Sequence, residues 1–168
     1  MRPMIVWMGL VGCSTDGANG AAESMVGELA PDFTVTDADG NALRLSDQLG
    51  TPVFVDFSAM WCSTCRNQAP VTEALFEERG DVAVVWTVLF QDAEGDPPDA
   101  AALTAWSDEY DLLHPVLADD AEESAYMAFG SGRQPLGVVI DAEGRITWTA
   151  EGGSVATGCA QALDDVLP

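Results

Sequence analysis

Val53-Phe54-Val55-Asp56-Phe57-Ser58-Ala59-Met60-Trp61-Cys62-Ser63-Thr64-Cys65 is the stretch on which the fold turns. Its first five residues are apolar and β-prone, interrupted only by Asp56. Two cysteines separated by two residues follow, and Arg66 to Arg79 then reads as a helix with Leu75 and Phe76 on its apolar side. The thiols therefore stand where a strand gives way to a helix. Free backbone N–H groups and the positive end of the helix dipole at such a junction favour a thiolate. A thiolate is the species that attacks disulfides. A C-x-x-C pair also suits zinc, so redox chemistry and metal binding both stay open at this point.

Outward from this stretch the chain alternates strand and helix. Upstream, Thr34-Val35-Thr36 and Ala42 to Leu45 flank the turn Asp37-Ala38-Asp39-Gly40 and predict a hairpin. A single helical turn begins at Ser46-Asp47. Downstream, Val82 to Phe90 is almost continuously apolar, as in a central parallel strand covered on both faces. An acidic Pro/Gly-rich loop, Gln91 to Asp99, leads to a helix over Ala100 to Tyr110, a short strand at Pro115-Val116-Leu117 and a helix over Ala121 to Phe129. Strands Leu136 to Ile140 and Arg145 to Thr149 flank the turn Asp141-Ala142-Glu143-Gly144, and Val155 to Val166 closes the chain as an amphipathic helix. The pattern predicts an α/β fold: a mixed central sheet flanked by helices, with an N-terminal β-hairpin and a central αβ insertion. Pro70 predicts a break or kink in the helix after the cysteines.

With 168 residues, 48% of them hydrophobic, the chain can bury one core and is most simply one domain. The 28 acidic residues outnumber 6 basic ones, all arginine, for a formal charge of −22. Such a surface repels nucleic acid, which excludes that class of partner; the acidity itself reads as a solvated surface. Residues 1–12 read as a signal: Arg2 supplies a charge, and the apolar stretch Met4 to Val11 is too short to span a bilayer. Leu10-Val11-Gly12-Cys13 resembles the lipobox of bacterial lipoproteins, which implies lipidation of Cys13 after cleavage. The Ser/Thr/Asp/Gly-rich residues that follow read as a flexible tether over 13–25, ahead of a domain over 26–168. Ser14, rather than aspartate, after the lipidated cysteine favours the outer membrane over the inner. Cys159 is left over and reads as a free buried thiol in the last helix.

Four further features accompany the cysteine pair. Asp56 lies six residues before Cys62, Trp61 directly precedes it, Pro70 lies five residues after Cys65, and Pro135 opens the later strand. Together they resemble the thioredoxin superfamily. Ala30-Pro31-Asp32-Phe33, the first hairpin and the insertion from Gln91 to Gly130 look like its redoxin, TlpA- and ResA-like branch. The resemblance implies thiol–disulfide exchange through a Cys62–Cys65 redox disulfide, without metal or other cofactor. It implies Cys62 as the nucleophile, Cys65 as the resolving thiol and Asp56 as the group that transfers the proton. It further implies Pro135 as a cis-proline facing the substrate backbone, and Trp61 as a shield and partner contact. The expected partners are protein dithiols or disulfides, for instance those of apocytochromes, met by a monomer anchored in the cell envelope and facing the periplasm or exterior.

Ser63-Thr64 departs from the Gly-Pro of ordinary thioredoxins, and Ser58 stands where they commonly carry tryptophan. Potentials of related pairs range from about −270 to −120 mV, so both directions of exchange stay open. Two alternatives compete. A thiol peroxidase of the redoxin family needs a hydroxyl three residues before its thiol, and Ala59 occupies that position here. A metal or copper-delivery site could draw on Cys62, Cys65, Cys159 and His114, but lacks the C-x-x-x-C spacing of Sco-type chaperones. His114, the only histidine, reads as a loop or strand-edge residue rather than a catalytic base.

Overall fold

Strand Val53–Ala59 (β3) is buried at every position, which requires cover on both faces, and its side chains divide accordingly. Val53, Val55, Phe57 and Ala59 face one apolar cluster with Phe33, Trp106, Tyr126 and Phe129. Phe54 faces a second with Leu75, Val155 and Leu163. The computed structural model describes residues 22–130 and 132–168. The expected signal, Cys13 and most of the expected tether lie outside the described residues.

Around β3 run β1 (Thr34–Thr36), β2 (Ala42–Arg44), α1 (Ser63–Arg79), β4 (Val84–Gln91) and α2 (Ala100–Glu109). Then come β5 (Val116–Ala118), α3 (Ser124–Ala128), β6 (Leu136–Ile140), β7 (Ile146–Glu151) and α4 (Ser154–Asp164). The seven strands form one sheet in the order β2-β1-β5-β4-β3-β6-β7. β3, β4 and β5 are parallel, while β1–β2, β1–β5, β3–β6 and β6–β7 pair antiparallel. The mixed sheet, hairpin and insertion are those the sequence predicts. The parallel trio aligns its carboxyl ends at one edge, where ligands and chemistry gather in open α/β sheets.

Three expectations need correcting. Helix α1 is not broken at Pro70: it runs unbroken from Ser63 to Arg79 with the proline inside it. Pro70 is exposed, so its ring sits on the water side, and only its own N–H is lost from the ladder. The folded part begins before residue 26. Ala22 is packed in the first cluster and Glu23–Met25 form a 3-10 turn. The helix expected over 121–129 shrinks to Ser124–Ala128, because Asp119 and Asp120 tie its entry to their carboxylates. Among the described residues no helix is long and apolar enough to cross a membrane.

The insertion is held to the core by aromatic contact, with Phe90 stacked on Tyr126 at 4.1 Å and Phe57 against Phe129 at 5.3 Å. Helix α4 presents Val155, Cys159, Ala162 and Leu163 to the sheet. It comes close because the contact has a glycine on each side, Gly137 on β6 and Gly158 on α4 itself. A Cβ at Gly137 would lie 2.6 Å from Val155 Cγ1 and 3.1 Å from Trp148 Cζ3; one at Gly158 would lie 2.7 Å from Trp148 Cζ2. Since Val155 is β-branched and fully buried, it cannot swing away. Gly137→Ala should therefore cost about 1–3 kcal/mol. Thermal unfolding should report it as a midpoint lowered by several degrees, and an unchanged midpoint would refute this packing.

Candidate active site

A register shift between Ser58 and Ala59 ends the regular pairing of β3 with β4 and turns the chain toward the cysteines. Cys62 then caps α1. Its backbone is extended, its N–H donates to Ala59 O, and its Sγ accepts the Cys65 N–H at 3.1 Å. A sulfur at that position receives one of the helix's unpaired N–H groups and sits at the positive end of the dipole, which favours its thiolate when the pair is reduced. Cys62 and Cys65 are joined as a disulfide, with Cα atoms 5.2 Å apart. Cys62 is 7% exposed and Cys65 fully buried, so only the first sulfur borders solvent.

Trp61 flanks the pair and is 44% exposed, which excludes a core role for it. Its Nε1–H donates to Gln91 Oε1 at 2.7 Å, and Gln91 Nε2 donates to Glu123 Oε1 at 2.7 Å. The indole is thereby tied to the end of β4 and to the insertion. Pro135 sits one residue before β6, whose Leu136 pairs with Phe57, so it lies at the cysteine end of the sheet. The Gln134–Pro135 peptide is cis, and the Pro135 carbonyl accepts the Gly152 N–H.

Asp56 is buried between β3, β4 and α1. Ser58 Oγ donates to its Oδ1 at 3.0 Å and Thr72 Oγ1 donates to its Oδ2 at 3.2 Å. Thr87, its register partner on β4, brings a third hydroxyl to the carboxyl. Burial outweighs these three donors and raises the carboxyl to about 7. Gln68 donates to Thr72 at 3.1 Å, and both the Gln68 amide and the Asp56 charge act on the Cys159 thiol, whose pKa burial pushes upward. Cys159 is a free buried thiol.

His114 lies in the loop that leads into β5, where the sequence places it. It is buried, with Nε2 2.8 Å from Thr87 Oγ1 and Nδ1 2.7 Å from Glu73 Oε2. It stands apart from any thiol cluster; among the described residues no group of three or more His, Cys, Asp or Glu could hold a metal ion. Sequence reasoning missed Ser58, Thr72, Thr87, Glu73 and Gln68 as members of this polar layer. One signal was present. Thr87 interrupts the apolar run of β4 as Asp56 interrupts that of β3, and two parallel neighbours pair such interruptions on one face.

A cysteine pair capping the helix behind a central parallel strand, over a buried carboxyl, defines a thioredoxin-like thiol–disulfide oxidoreductase. Residues 26–149 match the AhpC/TSA family, and the chain belongs to it. Over 143 residues it is 27% identical to the thiol-disulfide oxidoreductase ResA of Bacillus thuringiensis, covering 85% of this chain and 79% of that one. It is also 37% identical over 93 residues to the thioredoxin-like protein YneN of Bacillus subtilis, covering 55% of this chain and about half (53%) of that protein. Among solved structures, the exposed lipoprotein thioredoxin Etrx1 of Streptococcus pneumoniae superposes with a TM-score of 0.66 at 31% identity, over 80% of this chain and 99% of that one. A thiol:disulfide interchange protein DsbE from Chlorobium tepidum shares the fold, with a TM-score of 0.70 at 21% identity over 82% and 94%.

Asp56 also couples stability to pH. Its folded value of about 7 lies above the ordinary 3.8, so between these values the native state holds a proton that the unfolded chain has released. Stability from this group is intact below pH 4, falls as pH rises and levels off above 7. The total loss is on the order of 4 kcal/mol. Asp56→Asn should remove that loss, gaining stability at pH 8 and little at pH 4. Urea unfolding at the two pH values checks this, and an equal gain at both would contradict it.

Proposed function

We propose that this protein is an extracytoplasmic, membrane-anchored oxidoreductase that exchanges its Cys62–Cys65 dithiol or disulfide with partner proteins. The observation that carries the reading is the unequal placement of the two sulfurs over one buried carboxyl: Cys62 borders solvent, Cys65 does not, and Asp56 lies in the layer beneath α1. In the reducing direction the Cys62 thiolate attacks a partner disulfide, and one partner sulfur leaves as a thiolate. The Cys65 S–H then gives its proton to Asp56, and the Cys65 sulfur attacks Cys62 Sγ. The second partner sulfur leaves, and two electrons have passed from the dithiol to the partner. The oxidising direction runs the same steps backwards. A carboxyl titrating near 7 suits this exchange, because it can accept and return a proton at neutral pH.

Pro135 offers backbone at the cysteine end of the sheet for a partner strand, and Trp61 shields the pair while touching the partner. Anchoring is supported by Leu10-Val11-Gly12-Cys13 and by the 31% identity to a protein described as an exposed lipoprotein thioredoxin. Protein thiols, those of apocytochromes among them, are the partner class, met by a monomer held at the outer membrane.

Four variants test the reading. Cys62→Ser should lose exchange to the uncatalysed rate, and Cys65→Ser should accumulate mixed disulfides on non-reducing gels. Asp56→Asn should slow the resolving step about 10²-fold. Wild-type exchange in Cys62→Ser would end the proposal. Cys13→Ala should move the protein from the membrane to the soluble fraction, and retention there would refute lipid anchoring. Equilibration of the pair with glutathione assigns the direction.

A further inference from the structure

The polar layer between the sheet and α1 extends beyond Asp56. Thr87 and Asp56 are paired in register on β4 and β3, with both side chains facing α1. Thr87 Oγ1 lies 2.8 Å from His114 Nε2, and His114 Nδ1 lies 2.7 Å from Glu73 Oε2. The same Glu73 oxygen accepts the backbone N–H groups of Leu113 at 2.9 Å and His114 at 3.3 Å. Asp56, Thr87 and His114 are buried to within 3% of complete, whereas the Glu73 side chain is 11% exposed and adjoins Leu113, which is 75% exposed. Asp56, its register partner Thr87, His114 and Glu73 thus follow one another from the layer beneath α1 to that helix's far flank.

We propose that Thr87, His114 and Glu73 form a proton relay serving Asp56, with the imidazole as the site that takes the proton Asp56 receives from Cys65. The proposal rests on Asp56 acting as the proton acceptor of Cys65. Thr87, His114 and Glu73 are positioning residues, since none of them touches the reacting sulfurs.

The donor and acceptor chemistry sets the direction of each bond. Three N–H groups crowd Glu73 Oε2, and the depressed pKa of this carboxyl, held down chiefly by the His114 hydrogen bond against burial, keeps it an acceptor. His114 Nδ1 is then the protonated nitrogen and Nε2 carries a lone pair toward Thr87. With Asp56 protonated, its O–H points to Thr87 Oγ, and the Thr87 O–H points to Nε2. In the transfer, the Asp56 O–H bond breaks as a proton joins Thr87 Oγ, and the Thr87 O–H bond breaks as its proton joins Nε2. The products are an Asp56 carboxylate, an unchanged threonine hydroxyl and an imidazolium against the Glu73 carboxylate. Thr87 is now turned to donate to Asp56. One proton has moved, and no oxidant or co-reactant is needed.

The titratable neighbours are few. Asp56 meets the hydroxyls of Ser58, Thr72 and Thr87 from β3, α1 and β4, and the Cys159 thiol from α4. His114 meets Glu73 and the Phe76 ring from α1, and Thr87 from β4. Burial lowers the imidazole pKa while Glu73 raises it, which holds His114 uncharged until a proton is delivered.

His114 is the only histidine in the chain, so its ring signals in nuclear magnetic resonance are unambiguous. The full domain should show the Nδ1–H tautomer, and Asp56→Asn should lower the His114 titration midpoint by about one pH unit. Thr87→Val, which keeps shape and removes the hydroxyl, should abolish that shift and slow the resolving step about tenfold, with Thr87→Ser restoring both. A His114 midpoint equally sensitive to Asp56→Asn in the Thr87→Val background would mean coupling through space alone and would overturn the relay. If Thr87→Val does not fold, His114→Asn should raise the midpoint of the Asp56 carboxyl carbon, and an unmoved midpoint would overturn it. A normal resolving rate in Asp56→Asn would remove Asp56 as the acceptor of Cys65, leaving the His114 shift to score the relay separately.

Discussion

A carboxyl group buried between two parallel strands and a helix constrains everything around it. Isolated in such a layer, an ionised Asp56 would cost several kcal/mol, so the surroundings must supply donors or keep it protonated. This chain does both. Hydroxyls from β3, β4 and α1 converge on the carboxyl, and burial still lifts it to about 7. That balance leaves a proton easy to add or remove at neutral pH in a place water reaches poorly. It also explains why the inward face of α1 carries Gln68, Thr72 and Glu73, where a packing helix would carry leucines.

The cysteines benefit from a different part of the same geometry. β3 ends at a register shift, α1 begins at Cys62, and the helix N–H groups meet a sulfur instead of a serine or aspartate oxygen. Nucleophile and cap are one atom, so forming or breaking the disulfide also alters how the helix starts. The buried thiol and the carboxyl sit behind it, closed off on the other flank by α4. That closure depends on glycines, because Val155 and Trp148 occupy the space where side chains at 137 and 158 would lie. Redox chemistry and packing therefore share the segment that runs from Pro135 into β6.

Much of this was legible in the chain itself. Alternating runs identified the strands and helices, and the parallel core followed from β3 and β4 being apolar on both faces. The resemblance carried by Asp56, Trp61, Cys62, Cys65, Pro70 and Pro135 pointed to thiol–disulfide exchange. The misreadings have local causes. Pro70 is tolerated because its ring faces water on an otherwise intact helix. The burial of His114 within its loop was not legible, because its partners Glu73 and Thr87 lie 41 and 27 positions away.

The sequence by itself determined the alternation of elements, the thiol pair at a helix start and the strongly acidic surface, since each depends on neighbours in the chain. Only the tertiary structure decided what surrounds Asp56 and where His114 sits. Register between β3 and β4 aligns Asp56 with Thr87, and the crossing of α1 over them brings Thr72 and Glu73 into reach. Hydrogen bonds of 2.7–3.2 Å between residues so far apart are set by how layers stack, and no local pattern encodes that distance.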